Sequence, residues 1–596
     1  MGEVTAPAVG VRSLAGRWVG ACALTVVCAT SAAAQAPPPE VPPRQVPVLQ
    51  TPPPQLRPGL QPPVDAGPGT IPAAPAGTTT APPGADQVFL TPVAIDVEGA
   101  TVYPPAVIAA LTQPLIGKRI AATEIFKVAK DLERKYREDG YFLTSVAVPA
   151  QRIADGRVKL RVIEGYVSSV VVEGDIGDAA KQARRFLGNL VDRKPVNLRD
   201  MERYLLLTED MPGVSVRAVL RPGKEPSSSE LVVQLKRQMA DLFAQVDNRG
   251  FKHTGPRQVT TVVGANSFTG LAERLEATFF TTLSREQNFG QVAWSNFIGS
   301  EGFRVRAYYG RGYIMPGGPL KATDYDGLIT IAGISGQYPV VRSRQFNLNV
   351  NAGFDYYRSD VKVTFNTLLN RTNLRIARIG ADASYRDDWN GVTFGSIRLS
   401  KGLTGFGASK KGDLLLNRLG SEPGFRKING EVSRLQAIYA NEDFALNLFG
   451  TLAGQYTSDT LPANEKFFAG ADRLGRGYYA GQVTGDKAFA GSLELQFNFV
   501  VPYEEVAGGS VSAETRSRGT PVQLYAFYDH AKVWNNAEFE VPSLYARSFG
   551  AGARINVLET TTVEVEGTRR LDLDVDGPNA KKLDPWSVYL RLTSRF

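Results

Sequence analysis

The chain has 596 residues, a formal net charge of +8, 43% hydrophobic residues and 59 glycines. Its positive charge is spread out without a block of lysine and arginine, which argues against a nucleic-acid partner. The only cysteines, Cys22 and Cys28, lie within residues 1–34, so a mature chain without this segment has no disulfide, thiolate nucleophile or Cys-based metal site. Neither His253 nor His530 stands in a metal-ligand spacing, which argues against a His-based metal site. No nucleophile-elbow, Walker A or dinucleotide motif is visible, so we expect neither an enzyme nor a bound cofactor, although paired carboxylates for acid–base chemistry stay open.

Residues 1–34 have the pattern of a secretory signal peptide. Arg12 and Arg17 precede an apolar stretch at 18–30, and three alanines at 32–34 form a small-residue cleavage site. A basic region, an apolar region and a small-residue site in this order direct a chain out of the cytoplasm. A disordered alanine-rich leader is the alternative interpretation.

Residues 35–87 form a proline-rich segment. Nearly half of the 38 prolines lie here, with few aromatic or β-branched residues. Such a composition cannot bury enough apolar surface to offset its ordering entropy, and proline favours the extended polyproline II conformation. We predict a semi-rigid disordered spacer. A proline-rich ligand for a partner domain is the alternative.

Residues 88–165 are predicted to fold as a small α/β module. A strand at 93–97 precedes a helix with Thr123 as its N-cap, and two further strands follow at 142–148 and 157–163. One apolar stripe of the helix, at a spacing that suits packing on a sheet, consists of Ile125, Val128, Ala129, Leu132 and Tyr136.

Residues 166–238 repeat this order of elements. A strand at 167–172 is followed by a helix around 198–205 and by strands at 214–220 and 230–235. Each unit is a β-α-α-β-β module of roughly 70 residues, small enough to need its neighbour for stability. Repetition of a small module on a secreted chain indicates binding rather than catalysis.

Residues 239–596 show clean alternation of apolar and polar side chains. From 344 to 354, Phe, Leu, Val and Ala alternate with Gln and Asn, and from 493 to 499, Leu and Phe alternate with Glu, Gln and Asn. The amide face belongs in water and the apolar face in lipid. About 360 residues at about 20 to 24 per strand and loop predict a transmembrane antiparallel β-barrel of about 16 strands. A large soluble all-β domain is the alternative.

The last strand, 586–596, has the same two faces. Its polar face carries Arg591 and Arg595, which would be costly in a dry core and suit a hydrated lumen. The opposite, apolar face consists of Trp586, Val588, Leu590 and Leu592.

Several stretches of the sequence resemble one known family. Residues 141–165 read YFLTSVAVPAQRIADGRVKLRVIEG and resemble the POTRA module of two-partner secretion transporters. Residues 247–250 resemble the start of that family's barrel, and 461–465 with 475–478 resemble the stretch that enters its barrel loop. Residues 527–534 resemble its later lumen-facing strand. The chain is similar to the haemolysin secretion/activation (TpsB) transporters of the POTRA-plus-barrel superfamily.

The resemblance implies two periplasmic POTRA modules, 88–165 and 166–238, and a barrel, 239–596, in the Gram-negative outer membrane. It implies export, with possible activation, of one large β-helical exoprotein of the TpsA type. The POTRA modules would bind this client unfolded or extended, and the barrel would conduct it. Outer-membrane lipid and the barrel-assembly machinery are further implied partners, with Phe596 as the assembly signal.

The family folds one loop back into its barrel, where an arginine pairs with an aspartate on a lumen-facing strand. The resemblance assigns these roles to Arg476, within the motif Gly475-Arg476-Gly477-Tyr478, and to Asp529. Strand parity agrees, because the residues alternating with Asp529 fit the lipid face. The family usually has a β-branched residue directly before the arginine, where this chain has Gly475. Independent solvation of both charges is the alternative.

A POTRA sheet also leaves an edge strand whose unpaired backbone groups an extended client can join. Edges that pair with the neighbouring module or stay solvated are the alternative. The candidate edge residues are Thr144, Val146 and Val148 in the first module and Ser215, Arg217 and Val219 in the second.

Two other functions stay open at this point. A barrel-assembly insertase of the same superfamily usually carries more POTRA modules, and a passive porin needs none. Members of the family often begin with an amphipathic helix that plugs the barrel, whereas 36–86 has no helical periodicity. Either the loop alone closes the channel or the spacer enters it.

Overall fold

The structure is a computed structural model that describes residues 80–153, 155–251, 254–441, 444–471, 473–502, 519–558, 560–575 and 582–596. The predicted signal peptide and the spacer up to residue 79 lie outside the described residues. None of the helices within these ranges is both long and apolar enough to cross a lipid bilayer.

The first module is a small α/β unit. Its strands and helices within the described residues are β1 Phe89–Leu90, β2 Ala94–Glu98, α1 Pro105–Thr112, β3 Ile120–Ala121, α2 Ala122–Glu138, β4 Ser145–Ala147 and β5 Arg157–Ile163. The sheet has the order β2-β5-β4, with β2 parallel and β4 antiparallel to β5. The predicted apolar stripe of α2 is buried. The N-cap prediction was wrong, because Ala121 occupies that position and Thr123 lies inside the helix.

The second module has the same order of elements. It contains β6 Tyr166–Glu173, α3 Ala180–Leu187, α4 Leu198–Glu209, β7 Val214–Pro222 and β8 Ser228–Arg237. Its sheet has the order β6-β8-β7, with β6 parallel and β7 antiparallel to β8. The predicted β-α-α-β-β order is therefore present in both modules.

A closed barrel follows. The described strands after the second module are β9 Ala240–Asp247, β10 Gln258–Asn266, β11 Arg274–Thr282, β12 Gln287–Ile298, β13 Phe303–Ile314, β14 Asp326–Arg342, β15 Phe346–Val363, β16 Thr367–Arg386, β17 Gly391–Gly402, β18 Arg426–Ala440, β19 Phe444–Tyr456, β20 Phe467–Ala469, β21 Val483–Gly485, β22 Lys487–Pro502, β23 Gly519–Trp534, β24 Ser543–Leu558, β25 Thr561–Arg570 and β26 Trp586–Arg595. All except β20 and β21 form one antiparallel ring of sixteen strands, in which β26 pairs with β9. This confirms the predicted strand number.

The wall of the barrel has the predicted apolar exterior and polar interior. On β22, Leu493 is exposed on the outside and Glu494 is buried inside. On β26, Val588 and Leu590 are exposed, whereas Tyr589 between them is buried. We call the end at which β8 leads into β9 the proximal end, and the opposite end the distal end.

The second module packs on the proximal turns of the barrel. Phe186 of α3 meets Phe297 of β12 edge to face, with ring centroids 5.4 Å apart, and both rings belong to one buried core. Arg342 of β14 donates two hydrogen bonds of 2.8 Å to the carboxylate of Asp210, directly after α4. Burial raises the pKa of the neighbouring Glu209 carboxyl above its ordinary value. Apolar and ionic contacts thus hold this module against the barrel.

Candidate functional site

A long distal loop, residues 457–486, turns back into the lumen. It carries the short hairpin of β20 and β21. Apolar side chains of the loop pack against small lumen-facing side chains of the wall. This buried cluster includes Ala469, Leu474, Tyr478 and Val483 from the loop and Ala490, Ala531, Val533 and Ala546 from the wall.

At the tip of this loop Arg476 contacts Asp529 of β23. The Nε and Nη2 atoms of Arg476 donate to the two carboxylate oxygens over 3.1 and 3.0 Å. The backbone N–H groups of Gly475 and Arg476 donate to the same carboxylate over 3.2 and 2.7 Å, and the Ser492 hydroxyl adds a bond of 2.7 Å. Both charged side chains are buried, with 4% and 0% exposure. The carboxylate is therefore fully hydrogen-bonded, as a buried charge requires.

Arg476 also approaches two carboxylates that sequence reasoning did not assign to the site. Its Nη1 atom bonds Glu494 of β22 and lies 3.9 Å from Glu566 of β25. The guanidinium carbon lies 3.4 Å from the ring centroid of Phe527, a cation–π contact. Arg554 balances the charge of Glu494 through a bond of 2.7 Å. Alternation along β22 already placed Glu494 on the polar face, and the same parity along β25 was the available signal for Glu566.

Two glycines let the loop tip approach the wall. Gly475 has φ = +83°, a left-handed conformation in which a β-branched residue would be strained. A Cβ atom on Gly477 would lie 2.8 Å from the Cβ of Ser548 and 3.2 Å from the Cγ of Arg570. The N–H of Gly477 instead donates to the Ser548 hydroxyl over 3.1 Å. The departure from the family pattern at Gly475 therefore has a conformational reason.

Tyr478 continues this attachment. Its hydroxyl oxygen lies 2.9 Å from the carbonyl oxygens of both Arg547 and Asp572, and it accepts from the Asp572 N–H over 3.0 Å. The carbonyl of Gly477 accepts from the Tyr589 hydroxyl over 2.9 Å. All four residues of the loop motif are thus hydrogen-bonded to the wall or to a neighbouring loop.

Two further ion-pair clusters hold the base of the inserted loop. Arg418, from a neighbouring distal loop, bonds both carboxylate oxygens of Asp486 over 2.6 and 2.8 Å. Glu465 pairs with Arg378 of β16 and with Lys427 of β18, both at 2.8 Å. In the part of the chain that the structure describes, no group of three or more His, Cys, Asp and Glu residues is placed to hold a metal ion.

The seam between β26 and β9 is completed by a side chain. Their backbone register covers five residue pairs. Beyond these pairs the Asn248 amide donates to the Val588 carbonyl over 3.0 Å and accepts from the Leu590 N–H over 2.8 Å. At the proximal end Phe596 exchanges backbone bonds of 3.0 and 2.9 Å with Leu242, and its ring is exposed.

The predicted client edge of the first module is short and partly occupied. Its strand covers Ser145–Ala147 alone. It begins after Thr144, whose N–H donates to the Tyr141 carbonyl in a turn. Thr144 and Val148 therefore lie outside the strand, which corrects the predicted span. The Val146 side chain is buried, and its N–H donates to the Glu133 carboxylate over 3.3 Å.

The predicted edge of the second module is open. Among the described strands, β7 pairs with β8 alone. Its outward-facing side chains Ser215, Arg217 and Val219 are exposed.

The hydrogen bonds at both ends of this hairpin fix the phase of the ladder. The Gln238 N–H donates to the Gly213 carbonyl, and the Gly223 N–H donates to the Ser228 carbonyl. Because hydrogen-bonded positions alternate in an antiparallel pair, the odd-numbered residues of β7 bond to β8. Even-numbered residues such as Val216 direct their N–H and C=O groups to the open edge.

Two family profiles match the chain. The POTRA domain of ShlB type matches residues 90–165, and the haemolysin secretion/activation protein ShlB/FhaC/HecB matches residues 227–555. This chain belongs to the haemolysin secretion/activation protein family. Its barrel lies in the outer membrane with the POTRA region in the periplasm, so the proximal end faces the periplasm and the distal end faces the exterior.

Three relatives match most of the chain. HuxB of Haemophilus influenzae strain 86-028NP, a heme/hemopexin transporter protein, is 22% identical over 479 residues, which cover 79% of this chain and 81% of HuxB. The structure of CdiB from Escherichia coli matches with a TM-score of 0.69 at 18% identity, covering 89% of this chain and 94% of CdiB. CdiB from Acinetobacter baumannii gives a TM-score of 0.61 at 15% identity, with 88% and 94% covered. The two CdiB structures thus have the same overall fold as this chain.

Proposed function

We propose that this protein exports one cognate exoprotein through the outer membrane by two-partner secretion. The two α/β modules, residues 88–165 and 166–238, act as POTRA modules that receive the client in the periplasm, and the barrel conducts it outward. Membership of the secretion/activation family supports this role, as do the names of HuxB and CdiB, which describe transporters. The proposed activity is transport, with no catalytic step.

The observation that carries the proposal is the loop 457–486 inside a closed barrel. Sixteen strands enclose a lumen that is too wide for wall side chains alone to fill, and this loop occupies part of it. Its tip is held by ion pairs and hydrogen bonds around Arg476. Water or the backbone of a passing chain can replace these polar contacts, and the apolar side of the loop packs mainly on small wall side chains such as Ala490, Ala531 and Ala546. We infer that the loop is a plug that moves when the client passes.

We further propose that the client joins the open edge of β7. An extended chain added there gains backbone hydrogen bonds without needing a fixed sequence, and Ser215, Arg217 and Val219 flank the outward backbone groups. The edge at Val146 is less suited, because Glu133 already accepts from its N–H. Assembly of the barrel through a signal at Phe596 and the barrel-assembly machinery remains a prediction.

Deletion of residues 88–237 tests the proposed function. We expect export of the cognate exoprotein to stop while other outer-membrane barrels reach normal levels, because this protein serves one client. The measurement is the exoprotein in the culture medium together with the amounts of unrelated barrels in outer-membrane fractions. Broad loss of other barrels would identify an insertase, and unchanged export would refute the transporter role.

A further inference from the structure

A groove runs along the outer, lipid-facing surface of the barrel at its distal end. Two adjoining depressions, of about 760 and 520 Å³, share Ile428 and Tyr456. These two residues are directly opposed on β18 and β19, and both are exposed. Next to them Gly430 lies opposite Gly454, so the floor has no side chains there. The groove is an apolar depression between raised side chains.

Two cations stand side by side at one end of this groove. Lys401 of β17 and Arg426 of β18 are directly opposed, exposed and part of the groove lining. The Lys401 ammonium donates to the Gly424 carbonyl. The nearby Asp459 carboxylate accepts from the backbone N–H of Arg426 over 2.7 Å. Among the described residues, neither cationic side chain has a carboxylate within ion-pair distance.

A third cation lies at the other end. Lys487, the first residue of β22, is directly opposite Trp534, the last residue of β23, and both line the groove. The Lys487 Nζ atom lies 5.7 Å from the ring centroid of Tyr456. Lys487 has a long apolar stem and a charged end, and the rings of Tyr456 and Trp534 lie beside it at the ends of their strands. Such a combination is typical of the level of the lipid headgroups.

These charges call for an anionic partner. Like charges directly opposed on a sheet destabilise each other, so Lys401 and Arg426 gain when an anion lies between them. Lys487 is separated from these two cations by the apolar floor of the groove. A ligand that complements the groove therefore carries two separate negative groups joined to hydrocarbon. Basic pockets on membrane proteins bind phosphorylated headgroups in this way.

We propose that this groove binds a bis-phosphorylated, multiply acylated lipid of the outer leaflet, of the lipid A class. One phosphate lies between Lys401 and Arg426, the other at Lys487, and acyl chains lie along Ile428 and Tyr456. The distal end of an outer-membrane barrel meets the outer leaflet, where such lipids are found. An exported polypeptide passes on the other side of the wall, so lipid rather than client is the occupant.

Equilibrium binding of lipid A to the purified full-length protein in detergent tests this proposal. The probe is hexa-acylated bis-phosphorylated lipid A, and bound lipid is counted by native mass spectrometry. We expect the triple variant Lys401→Gln, Arg426→Gln and Lys487→Gln to bind at least about tenfold more weakly than the unchanged protein. Removal of one lipid phosphate weakens binding to the unchanged protein and has little further effect on the triple variant.

Arg311→Gln is the matched control. Arg311 is another exposed, outward-facing cation beside a tyrosine, 5.5 Å from the Tyr313 ring centroid, but its cross-strand partners are Gly290 and Thr330 rather than a second cation. This variant keeps the binding of the unchanged protein. Heat-modified mobility on gels verifies that each barrel is folded. Full binding by the folded triple variant, or equal competition by phosphatidylglycerol, would overturn the proposal.

Discussion

At the scale of single residues, Arg476 is the centre of a balanced charge cluster inside the barrel. One guanidinium bonds two carboxylates on neighbouring strands and lies near a third. Two other arginines meet the same carboxylates, so the buried positive and negative charges are matched. The members of the cluster are Arg249, Arg476, Arg554, Glu494, Asp529 and Glu566.

Arg476→Ala should release the loop tip and impair export. The change leaves Asp529 buried without its cation, which costs about 3–5 kcal/mol when a buried pair is broken. Asp529→Ala should produce a similar defect, and the double variant should be no worse than either single variant, because both remove the same contact. The measurements are secreted exoprotein and protease access to the loop in intact cells.

Arg473→Ala is the control within the same loop. Arg473 pairs with Glu431 but its side chain is half exposed, so its loss should cost about 0–1 kcal/mol and leave export intact. Additive defects in the Arg476 and Asp529 double variant would contradict a shared contact.

Part of this cluster could be predicted from the sequence. Alternation along β23 places Asp529 inside, and the loop motif identifies Arg476. The pairing of Arg249 with Glu566 at 2.8 Å could not be predicted, because the two residues are 317 positions apart and meet only when the ring closes. Alternation gives the face of a side chain, whereas the partner depends on the register of all intervening strands.

At the scale of elements, β7 offers the open edge at which a client strand can add. The odd-numbered residues of β7 bond to β8, whereas the even-numbered residues direct their backbone N–H and C=O groups to the open edge. A substitution at an even-numbered residue can therefore test client binding without breaking the pairing with β8.

Val216→Pro should lower export, because proline removes an outward N–H group while sparing the ladder to β8. Val216→Ala, which loses similar packing but keeps the N–H group, should retain most of the activity. Export is compared at equal amounts of protein in the outer membrane, and limited proteolysis verifies that the module is folded. Equal export by the two variants would exclude strand addition at this position.

Element boundaries were harder to predict than element types. The helix α2 and its buried face could be predicted from the spacing of apolar residues, because the same residues pack on the sheet in the folded module. The start of α2 could not, because Ala121 holds the N-cap position without a side-chain hydrogen bond, so no polar residue marks the boundary. The strand predicted at 142–148 covers three residues in the structure. Its start is later than predicted because a turn at Thr144 takes the N–H group that a longer strand would use.

At the scale of the whole molecule, the second module has a fixed place on the barrel. Leaving that place would expose Phe186 and Phe297 to water, at about 1.5–3 kcal/mol for each buried side chain. This contact could not be predicted from the sequence. Phe186 belongs to a helix of the second module and Phe297 to a strand of the barrel, about a hundred positions apart.

A chemical link between this module and the barrel should leave export intact. The chain has no cysteine beyond residue 28, so cysteines at Asp210 and Arg342 can be joined selectively by a short bismaleimide. Because the proposed addition of the client to the β7 edge needs no movement of the module, the linked protein should secrete at the level of the two single-cysteine variants given the same reagent. A loss of secretion specific to the linked protein would mean that the module must move.

The Asn248 bridge makes the ring uneven around its circumference. The strands β15 and β16 share eighteen backbone pairs. The strands β26 and β9 share five, with the Phe596–Leu242 backbone bonds at the proximal end, and toward the exterior they depend on the Asn248 amide. The β26–β9 pair is therefore the weakest strand pair of the barrel, and an outward force on the wall would break its hydrogen bonds before those of the other pairs. A client segment too large for the lumen would therefore separate β26 from β9 first, in their distal half.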